Sequence, residues 1–133
     1  AHEIGLNHLA NVVAGFEQTG TLWENYSPEI VGQGNDGKDF VGWTGLPPVA
    51  VLFEYAFGLR PDVPTQRLVW DIRLLEEHGV RRYPFAVQGL LDLKCRSRAS
   101  REDKPDIEIS SNVGFELDLR WHGGRELRRI DPL

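Results

Sequence analysis

"GLRPDVPTQ", residues 58–66, divides the chain. Two prolines and a glycine punctuate the backbone there, and apolar side chains recur with a different period on either side. Ahead of it, Ile4, His8, Leu9, Val12, Val13 and Phe16 fall on one stripe of an amphipathic helix that ends before Thr19-Gly20. A second helix is expected over "PPVAVLFEYAFGL", residues 47–59, with Thr44 as N-cap and Pro47 and Pro48 in the first turn. Beyond it, Leu68, Trp70, Ile72 and Leu74 alternate with Val69, Asp71 and Arg73, and Phe115, Leu117, Leu119 and Trp121 with Glu116, Asp118 and Arg120. Both runs predict half-buried strands.

"YPFAV", "LLDLKCRSR" and "DIEISS" add shorter strands, with turns expected at His78-Gly79, Gln88-Gly89, Ser111-Asn112 and "WHGGRE". The fold class is therefore α+β. Helices occupy residues 1–60, and an antiparallel β-rich domain, a meander or small sandwich, occupies 61–133. "SRASREDKPD", residues 97–106, has no apolar anchor and is expected to be mobile. The second helix carries Glu54 as its only charge between Pro48 and Leu59, so it expects apolar cover on all sides. Methionine is absent even at the first position, and the chain opens directly into helical periodicity, a pattern that proteolytic maturation, methionine removal or excision from a longer protein would each produce.

The 133 residues are 41% hydrophobic and 26% charged, an ordinary globular balance. A net charge of −5 repels nucleic-acid phosphates and anionic membrane surfaces and suits neutral ligands. The short basic run "RELRR", residues 125–129, reads as a solvated strand end. No apolar run approaches the ~20 residues that span a bilayer. The single cysteine, Cys95, has no partner for an internal disulfide and falls on a buried strand position, leaving the redox compartment open.

Between the two helices lies "TGTLWENYSPEIVGQGNDGKDFVGWTG", residues 19–45, where Glu24 is accompanied by Trp23, Tyr26, Phe40 and Trp43. Flat rings stack on the C–H faces of sugars, Asn25 can bond hydroxyls, and a carboxylate can activate water as a general base when a second carboxyl group protonates the leaving group. The same residues also admit a plain role, with Glu24 capping the loop or pairing with an arginine and the rings packed in a core. "NDGKD", residues 35–39, lacks the spacing and closing glutamate of a calcium loop. His2, His8, His78 and His122 lack zinc-ligand spacing, and the glycines at 32, 34 and 37 do not open a helix as a phosphate cradle does. Nucleophile-elbow, P-loop and dinucleotide signatures are missing, and Cys95 has no activating context.

"LWENYSPE", residues 22–29, followed by "FVGWTGLPPVAVLFEYAFGL", residues 40–59, resembles the last part of the catalytic barrel of glycoside hydrolase family 63 and its trehalase-like relatives. The resemblance implies the terminal helical hairpin of an (α/α)6 toroid and an inverting mechanism on glucosidic bonds. The general-base role falls by that resemblance to Glu24, with Trp23, Tyr26 and Trp43 lining a sugar subsite and Asn25 orienting Glu24 or a hydroxyl. "LRPDVPTQRLVWDIRLLEEHGVRRYPF", residues 59–85, is similar to the β-rich extension that follows the barrel in some bacterial members. No segment matches the one that bears the family's acid, and Asp36, Asp39 and Asp71 stand in other contexts. The expected partners are thus an oligosaccharide or glucoside substrate and the remainder of the barrel, without nucleic acid or membrane, and the chain alone is expected to be inactive. Metal and organic cofactor are not expected, because carboxylate-activated water suffices. The alternative is a non-catalytic carbohydrate-binding or assembly module.

Overall fold

The computed structural model describes residues 2–27, 29–32 and 41–133, with His2, Trp43 and Thr44 described by backbone alone. The chain divides into two compact units, Ala1–Ala56 and Phe57–Leu133. The architecture is α+β, with helices in the first unit and sheets in the second.

In the first unit, α1 spans His2–Thr19. It stops where Gly20 turns to φ 74°, a left-handed conformation that costs glycine little. The Gly20 N–H donates to the Phe16 carbonyl at 2.7 Å and closes the last turn. Of the apolar stripe read from the sequence, Val12 is buried, whereas Ile4, Val13 and Phe16 remain exposed. A single 3-10 turn, Gly42–Gly45, leads into α2, Leu46–Ala50, which widens into a π-helical turn over Val51–Ala56. The N-cap of α2 is Gly45, without a side-chain cap, and not Thr44, because the preceding turn is already helical. Helical backbone ends at Ala56, short of the expected Leu59. Leu46, Val49 and Tyr55 are exposed, so the described residues do not supply the all-round cover that this apolar segment calls for.

In the second unit, Gly58 adopts φ 71°, and a Cβ there would stand 2.0 Å from the Asp71 carbonyl oxygen, so glycine is required by both backbone and space. Strands follow at β1 (Leu59–Asp62), β2 (Arg67–Asp71), β3 (His78–Phe85), β4 (Gly89–Cys95), β5 (Ile107–Ser111), β6 (Phe115–Trp121) and β7 (Gly124–Ile130). They form a four-stranded sheet ordered β1-β2-β6-β7 and a three-stranded sheet ordered β3-β4-β5.

Neighbouring strands pair antiparallel except at one seam. There β2 and β6 run parallel, with Leu68 opposite Leu117 and Trp70 opposite Leu119. The sheets are otherwise antiparallel, as expected, and the parallel seam was not foreseen because alternation assigns each strand a buried face but says nothing about its partner. One local reading is corrected and another is extended. His78-Gly79 lies inside β3 and is not a turn, and "RELRR" belongs to the full edge strand β7. Leu68, Trp70, Phe115, Leu117 and Leu119 from one sheet, and Tyr83, Phe85, Leu91, Leu93 and Cys95 from the other, are buried. Phe85 and Phe115 meet with ring centroids 5.4 Å apart, joining the two sheets in one core. Each such apolar side chain removed from water stabilises the fold by about 1.5–3 kcal/mol.

The segment 97–106, expected to be mobile, is tied down by a polar anchor. Arg98 donates to the carbonyls of Ile72 at 3.2 Å, Leu74 at 3.1 Å and Asp103 at 2.7 Å, while its own N–H reaches the Leu75 carbonyl at 2.8 Å. Pro105 in the same segment is buried. On β6, the fully buried Asp118 accepts from Arg120 Nη2 at 2.6 Å and from Arg125 Nε and Nη2 at 2.7 and 2.9 Å. Hydrogen bonds from Arg125 and then Arg120 hold its carboxyl well below the usual carboxylate range, outweighing the desolvation that opposes them.

Candidate functional site

The turn that follows α1 holds the acid and the rings singled out in the sequence, and hydrogen bonds of Thr19 and Trp23 set its shape. Trp23 Nε1 donates to Thr19 Oγ1 at 2.9 Å, and the Thr19 hydroxyl donates to the Gly15 carbonyl at 2.8 Å, with the Thr21 carbonyl at 3.2 Å as a second acceptor. The Trp23 backbone N–H donates to the Tyr26 hydroxyl at 3.0 Å. Tyr26 lies against α1 where the helix has no side chain, since a Cβ on Gly15 would touch the Tyr26 ring at 3.5 Å. Trp23 is packed inward with 4% of its surface exposed, so it supports the turn from its buried side. Farther on, the Ser27 hydroxyl accepts from the N–H groups of Glu29 and Ile30 at 3.2 and 3.4 Å.

Glu24 stands between these two attachments, partly exposed. Its carboxylate reaches across to Gly42: a Cβ at that position would fall 2.8 Å from Glu24 Oε1 and 3.0 Å from Cδ. Gly42 also has φ 52°, so a side chain there would meet both strain and collision. Among the described residues no ion pair or hydrogen bond occupies the Glu24 carboxylate. It is a half-open acid seated on bare backbone.

Asn25 is exposed beside it and is engaged in a contact of its own. The backbone of Trp43 lies in the 3-10 turn next to Gly42, while its side chain lies outside the described residues, as do Phe40, Asp36, Asp39 and the 35–39 loop. The turn thus brings Trp23, Glu24, Asn25 and Tyr26 together with the backbone at Gly42. Sequence reasoning did not single out Thr19 or Gly42 as contributors to this geometry. The signals were faint, a Thr four residues from both Gly15 and Trp23, and a glycine among several.

Beside the turn, Leu9, Val12, Val13 and Phe16 of α1, Leu22, and Pro48, Val49 and Leu52 enclose an apolar cleft of about 170 Å³. A larger depression of about 570 Å³ lies on the three-stranded sheet of the second unit, lined by Glu77, Arg81, Asp92, Lys94 and Glu108 among others. No Trp, Tyr or Phe lines it, and its charges are partly spent on one another, with Lys94 Nζ 3.1 Å from Glu77. Lacking the flat faces that grip sugars, it is the weaker candidate despite its size. No group of three or more His, Cys, Asp or Glu among the described residues is placed to hold a metal ion. No helix among them is long and apolar enough to cross a membrane.

Residues 2–52 match the family model described as the glycosyl hydrolase family 63 C-terminal domain. Over 44 residues, 33% of this chain, the sequence is 46% identical to a Schizosaccharomyces pombe protein described as "Probable mannosyl-oligosaccharide glucosidase". Those residues cover 5% of that relative, so the match spans a small part of its length. No solved structure matches the chain. The first unit is therefore similar to the C-terminal part of family 63 hydrolases, and the matched residues include the whole turn around Glu24.

Proposed function

We propose that this chain is the C-terminal part of an inverting glycoside hydrolase acting on glucosidic bonds. Residues 1–60 contribute the last helices of an (α/α)6 barrel with the catalytic-base loop, and residues 61–133 form a β-rich accessory domain. One observation carries the reading. The family match covers the turn in which Glu24 presents a half-exposed carboxylate, unpaired among the described residues, over the side-chain-free Gly42. A carboxylate committed to structure is commonly bonded to an arginine or a backbone N–H, whereas a general base needs a free oxygen facing the space where water will stand.

The chemistry assigned to this geometry is simple. Glu24 takes a proton from water as the water oxygen bonds to the anomeric carbon from the face opposite the leaving group. The glycosidic C–O bond breaks, and an acid in the remainder of the barrel protonates the departing oxygen. The two carboxyl groups must stand about 6.5–9.5 Å apart to leave room for that water. Asn25, Tyr26 and Trp43 contact the sugar, and Trp23 backs the wall from inside. The substrate is an oligosaccharide or glucoside. The apolar surface left open on α1 and α2, Val13, Phe16 and Val49 included, is what the remaining barrel helices would cover. Without the acid, this chain alone does not turn over substrate.

The test is Glu24→Gln in the complete gene product that carries this chain. It preserves shape and removes the base, so hydrolysis should fall by about 10²–10⁴-fold while sugar binding survives. Turnover near that of the unmodified protein would overturn the proposal.

A further inference from the structure

We infer that Thr19 is a positioning residue for the Glu24 carboxylate, acting through Trp23; the inference rests on the reading of Glu24 as general base. Glu24 itself has no partner among the described residues, so its position is inherited from the backbone on either side. On the N-terminal side that backbone is Trp23, whose indole is buried and whose Nε1–H is satisfied by Thr19 Oγ1 at 2.9 Å. Thr19 is fixed in turn. It is the last residue of α1, its hydroxyl is held on the Gly15 carbonyl at 2.8 Å, and Gly20 closes the helix on Phe16 at 2.7 Å. The relay runs from the α1 backbone through one hydroxyl and one indole to the residue before the base.

On the opposite side the carboxylate has a seat of fixed depth, the bare Cα of Gly42. A base confined between a hydrogen-bonded turn and a glycine cannot follow if the turn shifts. Loss of the Thr19 hydroxyl leaves a buried indole N–H without its partner, a state that drives local rearrangement. Displacement by about 1 Å is enough to reduce rate up to a hundredfold without weakening ground-state binding.

The experiment is a double-mutant cycle in the complete gene product, with hydrolysis of α-glucosyl fluoride followed by fluoride release. Thr19→Val, which keeps the shape and removes the hydroxyl, should lower kcat about tenfold and leave KM within about twofold. Thr19→Ser, which restores the hydroxyl, should recover kcat to within about twofold. In the Glu24→Gln background, Thr19→Val should change the residual rate by less than about twofold, because its target is gone. A merely structural role would multiply through both backgrounds. An equal loss in the two backgrounds, or failure of serine to rescue, overturns the positioning role while leaving the base assignment intact. Normal turnover by Glu24→Gln alone would instead remove the base assignment and this inference with it. Should Thr19→Val fail to fold by thermal melt, Trp23→Phe removes the donor of the same bond and must show the same dependence on background.

Discussion

Replacing Asp118 by asparagine isolates the electrostatic centre of the four-stranded sheet. The substitution keeps the shape and removes the charge that accepts three bonds, one from Arg120 and two from Arg125. A bond to a charged group is worth about 1.5–3 kcal/mol net. The sum is discounted because Arg120 and Arg125 have side chains 42% and 52% exposed and regain water when released. A loss of about 2–3 kcal/mol at neutral pH follows, or roughly 10–20 °C in Tm for a unit of this size. Urea unfolding followed by tryptophan emission reads it directly, since Trp70 in that core is 1% exposed.

The pH dependence supplies an internal control. The folded carboxyl titrates below the unfolded one, so the unfolded state binds the extra proton as pH falls. Its contribution is complete well above the unfolded value of about 3.9 and declines below it. Asparagine has no such titration. The gap between the two proteins should therefore narrow by about 1 kcal/mol between pH 7 and pH 3. A loss under about 0.5 kcal/mol at pH 7, or a gap that does not change with pH, would refute this account of the cluster.

Two further outcomes are expected. Arg98→Met should leave the sheets folded and release segment 97–106, because the side-chain bonds to the Ile72, Leu74 and Asp103 carbonyls vanish together; hydrogen exchange there should accelerate by at least about tenfold, and unchanged protection would show that Pro105 and the loop's own bonds suffice. Cys95 should resist a thiol-reactive aromatic disulfide in the native protein and react promptly in urea, since burial raises its pKa and shields its sulfur; rapid native labelling at pH 8 would contradict the packing of β4.

Legibility of the sequence followed the physics of each element. β2 and β6 were readable because Leu68, Trp70, Leu117 and Leu119 recur at every second position and are buried. β7 was hidden because an edge strand carries charges on both faces, with Leu127 half in solvent. β1 was hidden by Pro61, which an edge strand tolerates. The order of segment 97–106 was invisible because a guanidinium that binds carbonyls leaves no apolar signature. At the candidate site, the pairing of an acid with aromatic residues marked the turn. It did not reveal that Trp23 faces inward or that Gly42 receives the carboxylate, since both depend on the fold of residues brought together from the two ends of a long loop.

The parallel seam between β2 and β6 has a consequence for how the second unit is born. Arg67 and its partner Glu116 are separated by 49 residues, and the intervening three-stranded sheet is built from near neighbours. At about 5–20 residues per second, β2 waits roughly 2–10 s during synthesis with one side of its ladder unpaired. The β3-β4-β5 sheet can assemble in that interval, leaving the β1-β2 hairpin as the nascent segment most open to capture by another strand. The same parallel pairing that completes the sheet makes its half-built form the vulnerable stage of biosynthesis.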